Sequence, residues 1–250
     1  IGDQPSSSRY PQRIQLCENC LTAHQLSPVK KEVLFFPEYR YRGGVTKDVL
    51  LGMNDLIDNA LEFFGSRSPQ IVLDIGANDG SLLGIVKSKT GCTTVGVDPT
   101  DAIQQSEGRI DHIRQEFFDK SSAEKILSEI GRPDIITFTN VFAHIEDLPK
   151  LIDAVSILMN DKNLLIVENH YLGSVLSKNQ FDTFYAEHLR TYSSKSFEFI
   201  AKNLNLQIKS VQFPRRYGGN IRVYMSRNKD FRTQISTVEE NGFIDEFQKL

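Results

Sequence analysis

Leu73-Asp74-Ile75-Gly76-Ala77-Asn78-Asp79-Gly80-Ser81 is the stretch on which the reading of this chain turns. Ile71 and Val72 lead into it as an apolar burst short enough for a buried strand, and Leu82, Leu83, Ile85 and Val86 follow at helical spacing. A strand, a glycine-bearing turn and a helix in that order form a grip for a nucleotide-like ligand at the carboxyl edge of a parallel sheet. Gly76 and Gly80 let backbone approach where a Cβ would collide, and the new helix turns free N–H groups toward the crevice.

Working outward, strands and helices alternate. The strand at 70–74 is followed by a helix to about 89, and a strand at 93–98 by a short one near 111–115. Ser121-Ser122-Ala123-Glu124 fits a capping box opening a helix to about 130. A strand at 134–139, a helix at 147–159 and a strand at 163–168 complete a Rossmann-like α/β pattern, which predicts a mostly parallel sheet covered on both faces. A helix at 194–203 and strands at 206–213 and 221–227 predict an antiparallel edge. Upstream, apolar spacing over 46–64 predicts a helix that Gly65-Ser66-Arg67-Ser68-Pro69 ends. The expected organisation is a small irregular N-terminal segment (1–45), a linking helix (46–66), the core (67–235) and the start of a C-terminal helix or linker (236–250).

Composition narrows the function classes. The net charge of −3 over 250 residues supplies no basic field for nucleic acid or anionic lipid. No apolar run approaches the roughly 20 residues that span a bilayer, and no signal peptide is visible. Three cysteines make no disulfide framework, so the expected setting is cytoplasmic. The chain opens on Ile1 and closes on the amphipathic run 243–247, an arrangement expected of a piece with further domains at both ends.

Within the first segment, Cys17-Glu18-Asn19-Cys20 sets two thiols on one side of a tight turn, as a zinc knuckle does. A structural zinc takes four ligands, and here His24 is the other nearby candidate while Cys92 lies far off. Two free thiols in a loop, or half of a zinc site completed upstream of Ile1, both fit. Residues 35–44, Phe-Phe-Pro-Glu-Tyr-Arg-Tyr-Arg-Gly-Gly, form an aromatic and basic loop that reads as cover for a domain edge.

The glycine turn is Gly76-x-x-x-Gly80 rather than the Gly-x-Gly-x-x-Gly suited to a pyrophosphate. Asp74 ends the first strand and Asp98 the second, where a carboxylate can accept both hydroxyls of a ribose. This pattern resembles class I S-adenosylmethionine-dependent methyltransferases. The resemblance implies that Asp74 and Gly76 lie near the methionine part, that Asn78 and Gly80 belong to the same cofactor-binding turn, and that Asp98 binds the ribose. Asn140 and His144, just past the fourth strand, would border cofactor or substrate.

The densest set of acid–base groups is Phe181-Asp182-Thr183-Phe184-Tyr185-Ala186-Glu187-His188. Histidine can take a proton near neutrality, tyrosine can donate to an oxygen and glutamate can orient an imidazole. With Cys17-x-x-Cys20 and its following His24-Gln25-Leu26, Phe36-Pro37-Glu38-Tyr39-x-Tyr41, Gly96-Val97-Asp98-Pro99 and Gly218-Gly219-x-x-Arg222-Val223-Tyr224, this segment resembles the sugar C-methyltransferase family acting on nucleotide-linked ketodeoxysugars. Ile1-Gly2-Asp3-Gln4-Pro5 matches as well. The resemblance implies a sugar-like small-molecule acceptor methylated at carbon through an enolate, with His188 as base, Tyr185 as donor, Glu187 as orienter, and Tyr39 or Tyr41 reaching in. It also implies zinc at Cys17 and Cys20. Ala186 stands where the motif has a first histidine, and Tyr217 and Asn220 where it has histidine and serine. An oxygen- or nitrogen-methyltransferase, which needs no enolate, and a non-catalytic cofactor-binding module are the alternative readings.

Overall fold

The four apolar runs that alternate with helices become the centre of an eight-stranded sheet, because strands buried on both faces need side chains that alternate between two cores. Ile135 and Ile136, like Leu164 and Leu165, point to opposite faces and enter different clusters. The computed structural model describes residues 11–235 and 239–250, so the match over Ile1–Pro5 lies outside the described residues.

In chain order, a hairpin of β1 (Ile14–Cys17) and β2 (Thr22–Gln25) leads to α1 (Lys31–Leu34) and then α2 (Lys47–Glu62). There follow β3 (Ile71–Ile75), α3 (Ser81–Thr90), β4 (Thr93–Val97), β5 (His112–Arg114) and α4 (Lys120–Glu129). Next come β6 (Ile135–Thr139), α5 (Leu148–Leu158), β7 (Leu164–His170) and α6 (Leu172–Ser177). The chain continues through β8 (Arg190–Thr191), α7 (Ser194–Asn203), β9 (Gln207–Gln212), β10 (Asn220–Ser226), β11 (Gln234–Ile235) and α8 (Phe243–Phe247).

The large sheet runs β11-β9-β10-β7-β6-β3-β4-β5. The strands from β7 to β5 are parallel, and β10 is antiparallel to both β7 and β9, as the two consecutive tail strands predict. From β3 the chain builds outward to β4 and β5, then crosses back to β6 and β7, so the carboxyl ends of β3 and β6 flank a topological switch point. One face is covered by α2 and α3 through Leu56, Ile57, Leu82 and Leu83, and the other by α4, α5 and α7.

The structure corrects several local expectations. The first segment is not irregular: β1 and β2 pair with each other, and β2 pairs with β8 in a separate three-stranded sheet. That partner lies far along the chain, beyond reach of local pattern. The helix α2 packs directly on the sheet, with Leu56, Ile57 and Ala60 fully buried. At α4 the cap is Asp119, which accepts from Ser122 N–H at 2.9 Å, so the helix begins at Lys120 and no box forms at Ser121–Glu124. A reciprocal box instead opens α7 between Ser193 and Ser196.

Cys17 and Cys20 flank the tip of the β1–β2 hairpin, where Cys20 Sγ lies 3.2 Å from Thr22 Oγ1 and the Cys20 backbone N–H holds the Cys17 thiol below its ordinary range. Among the described residues no three His, Cys, Asp or Glu side chains converge on a metal position. A structural zinc takes four ligands, so the zinc implied at Cys17 and Cys20 is not supported by the described residues. Among the same residues no helix is long and apolar enough to cross a membrane.

Candidate active site

The cavity at the switch point has a volume of about 1030 Å³ and draws its lining from many parts of the chain, among them the 35–44 loop, the carboxyl ends of β3, β4, β6 and β7, the 180–188 loop and the loop bearing Tyr217.

Its floor is the glycine turn. Gly76 sits at φ +76° and Gly80 at φ +72°, in the left-handed region that a side chain resists. A Cβ on Gly76 would collide with Val141, and one on Gly80 would meet Ser106 Cβ at 2.7 Å. Asn78 N–H donates to Asp98 Oδ2 at 2.9 Å, while Thr100 donates to Asp98 Oδ1 from N–H at 2.9 Å and from its hydroxyl at 2.6 Å. A carboxylate offers about four acceptor positions, so Asp98 is held rigidly with capacity to spare. Asp74 Oδ1 accepts from the Thr137 hydroxyl at 2.6 Å, and its second oxygen has no hydrogen-bond partner among the described residues. Burial pushes the Asp74 carboxyl up to about 7, opposed by the Thr137 bond and helped by the Asp98 charge.

The aromatic loop does not merely cover an edge. Gly43 N–H donates to Asn78 Oδ1 at 2.9 Å, Gly44 N–H to Asp79 Oδ2 at 2.8 Å, and Asn78 Nδ2 to the Tyr41 carbonyl at 3.0 Å. Three bonds thus tie the loop to the turn.

The far wall carries three imidazoles. His188 Nδ1 lies 2.9 Å from the Thr183 carbonyl, which requires that nitrogen to carry the proton. The lone pair therefore sits on Nε2, which the Tyr185 hydroxyl meets at 3.0 Å. Burial pushes the His188 pKa down to about 3, with His144 and His170 acting in the same direction, so the imidazole is neutral. Tyr185 is pushed up to about 12 by burial and the Glu187 charge and remains a phenol. His144 Nδ1 lies 2.7 Å from the Glu187 carbonyl. The orienting position expected of the Glu187 carboxylate is taken by the Thr183 carbonyl; that carboxylate instead accepts from Tyr39 Oη at 2.8 Å. Tyr41 Oη lies 3.0 Å from Tyr217 Oη.

Beneath this wall lies a buried charge network. Glu168 on β7 takes Arg216 Nη2 at 2.8 Å on one oxygen and Arg222 Nε at 2.6 Å on the other, and Asn220 Nδ2 at 2.9 Å. Arg216 fits over Gly52, where a Cβ would strike its guanidinium, and donates to the Val49 carbonyl at 2.9 Å. Helix α2, β7, β10 and the loop bearing Tyr217 are fixed to one another by these bonds.

Of the residues singled out by sequence, Asp74, Gly76, Asn78, Asp98, Asn140, His144, Tyr41, Tyr185, Glu187 and His188 all line this cavity. Gly80 lies behind the turn at the start of α3, and Cys17 and Cys20 lie outside the cavity lining. His170 and the Thr183 carbonyl were missed. His170 is the last residue of β7, two places beyond Glu168, and the carboxyl-edge rule would have found it; a backbone carbonyl leaves no signal in sequence.

A family model described as a methyltransferase domain matches residues 50–211. The chain belongs to the methyltransferase domain family. Its domain is that of an S-adenosylmethionine-dependent methyltransferase. It is 27% identical over 229 residues to C-methyltransferase NovU of Streptomyces niveus, covering 90% of this chain and 54% of NovU. The methyltransferase thus spans about half the length of that relative. Among solved structures, the plantazolicin methyltransferase BpumL in complex with a triazolic desmethylPZN analog and SAH superposes with a TM-score of 0.58 at 12% identity, covering 74% of this chain and 87% of BpumL. Magnesium protoporphyrin IX methyltransferase (ChlM) from Synechocystis PCC 6803 gives 0.52 at 15% identity, covering 76% and 90%. These likenesses concern the fold.

Proposed function

We propose that this methyltransferase places a methyl group on the carbon next to a ketone of a sugar-like acceptor, a nucleotide-linked ketodeoxysugar, after His188 removes the α-proton. The observation that carries the reading is the 3.0 Å contact of Tyr185 Oη with His188 Nε2, in the same cavity as the Asp74 and Asp98 carboxylates. The relationship to C-methyltransferase NovU also supports transfer to carbon.

The donor half fits S-adenosylmethionine. The Gly76 turn presents its backbone to the cavity, the second Asp74 oxygen has no partner among the described residues, and Asp98 keeps spare acceptor capacity. Asp74 would face the methionine part and Asp98 the ribose, with Asn140 and His144 at the border of the two halves. When bound, the donor supplies an electrophilic methyl group on a sulfonium.

In the acceptor half, the Thr183 carbonyl keeps the His188 proton on Nδ1, so Nε2 offers the lone pair. Tyr185 Oη, which donates to that nitrogen, is the hydroxyl that meets the acceptor as the α-proton leaves and charge builds on the ketone oxygen. Tyr39 holds the Glu187 carboxylate and Tyr41 holds Tyr217, which leaves a wall of phenols suited to hydroxylated substrates.

The test is solvent deuterium incorporation at the α-carbon of a thymidine diphosphate-linked 4-keto-6-deoxyhexose, followed by mass spectrometry. Wild-type protein is expected to catalyse it and His188→Ala to lose it. Full incorporation by the variant would remove His188 from the role of base.

A further inference from the structure

The three cavity imidazoles are not equivalent. His188 has Nδ1 on the Thr183 carbonyl and Nε2 on the Tyr185 hydroxyl, so both nitrogens are engaged. His144 has Nδ1 on the Glu187 carbonyl and also meets the Asn140 backbone. His170, at the end of β7, lines the same cavity, yet neither of its ring nitrogens has a hydrogen-bond partner among the described residues. Its ring centroid lies 4.7 Å from that of His188 and 5.9 Å from that of Tyr217. It is therefore a positioned imidazole with its whole hydrogen-bonding capacity unspent. A polar ring held this way beside a base is a site for a ligand atom.

We infer that His170 is a further catalytic residue, whose ring N–H donates beside the Tyr185 hydroxyl to the acceptor's ketone oxygen while His188 takes the proton from the neighbouring carbon. This rests on the carbon-methylation reading given above. The α C–H bond breaks and its electron pair becomes the new carbon–carbon double bond. The carbonyl π pair moves onto oxygen, where the His170 N–H and the Tyr185 hydroxyl meet it, and the proton ends on His188 Nε2, whose lone pair is freed as that hydroxyl turns to the oxygen. Burial holds the His170 pKa down, to about 4, helped by His144, so the ring is neutral. A neutral imidazole gives up no proton to water at pH 7 and presents one N–H and one lone pair, the form suited to polarising a carbonyl.

Two measurements test this. In the acceptor-free protein, limited reaction with diethyl pyrocarbonate, read by peptide mass spectrometry, is expected to modify His170 before His144 and His188, because only its nitrogens are unengaged. Earlier modification of His188 would overturn the assignment without touching the methyltransferase reading. In the deuterium assay with the thymidine diphosphate-linked 4-keto-6-deoxyhexose, His170→Ala is expected to slow incorporation about a hundredfold, the cost of one oxyanion donor. His170→Asn, which keeps an N–H donor, is expected to recover part of that loss. Calorimetric binding of S-adenosylmethionine, expected to be unchanged, shows that both variants are folded. Incorporation by wild type with no loss in His170→Ala would overturn the His170 role alone; no incorporation by wild type would overturn both this role and the carbon-methylation reading.

Discussion

Burial drives the acids and bases of this cavity in opposite directions, since each loses the solvation of its charged form. For His188 the result is a neutral base, and for Asp74 a carboxyl that titrates near 7. The sign of the second effect is testable. Below pH 7 Asp74 is protonated and neutral; above it, the carboxylate attracts a cationic donor. S-adenosylmethionine affinity measured by calorimetry should rise about tenfold from pH 6 to pH 8, and in Asp74→Asn it should stay flat. A second residue-scale prediction concerns Tyr39, whose hydroxyl is the partner seen for the Glu187 carboxylate. Tyr39→Phe leaves that carboxylate unpaired, at a cost of about 1–3 kcal/mol, expected as a fall in kcat/KM with donor affinity unchanged. The reacting types at 185–188 were legible because their spacing is local. The Tyr39 partner was not, since it lies 148 residues away in sequence, nor was the Thr183 carbonyl, which any residue would supply.

Among elements, the 35–44 loop is the least legible and the most consequential. Its aromatic run announces packing, but only the folded chain shows that Gly43 and Gly44 bond to the side chains of the donor turn while Tyr39 and Tyr41 reach the acceptor wall. A Cβ on Gly44 would meet Asp79 Oδ2 at 2.7 Å and also press on Ser81 Oγ. Gly44→Ala is therefore expected to push the loop off the turn, weakening donor binding and acceptor turnover together while the melting temperature changes little. Calorimetry beside a thermal melt would read both. The strands around the turn were legible because a buried parallel strand is an uninterrupted apolar run. By contrast, β11 has two exposed residues and no pattern, and the α4 cap moved because Asp119 is the better acceptor at the position preceding Lys120.

Taken whole, the molecule builds one cavity from segments that the sequence read as separate, and the Glu168 network anchors the helix α2 and the Tyr217 loop to the central sheet. Alternation of strands and helices exposed the mostly parallel sheet with its antiparallel edge, and with it the carboxyl edge where the cavity lies. It could not expose two arginines meeting one buried glutamate, because charged residues read as surface until their partners are known. The buried imidazoles set the acid limit of the whole fold. His170 and His188 have folded pKa values of about 4 and about 3, below the usual 6.5 of the unfolded chain. Unfolded protein thus gains protons first as pH falls, and stability present above pH 6.5 is lost below it, by about 2 kcal/mol per imidazole at pH 5. Thermal melts at pH 7 and pH 5 should show the drop, and His170→Asn should lessen it. Whether the methyl group arrives on carbon is read by tracing the methyl itself. With S-adenosylmethionine carrying a 13C methyl group and the thymidine diphosphate-linked 4-keto-6-deoxyhexose as acceptor, product NMR should show the label directly coupled to the ring carbon next to the ketone, which re-forms as the carbon is methylated, and none with His188→Ala. A label found as an oxygen- or nitrogen-bound methyl would contradict the account.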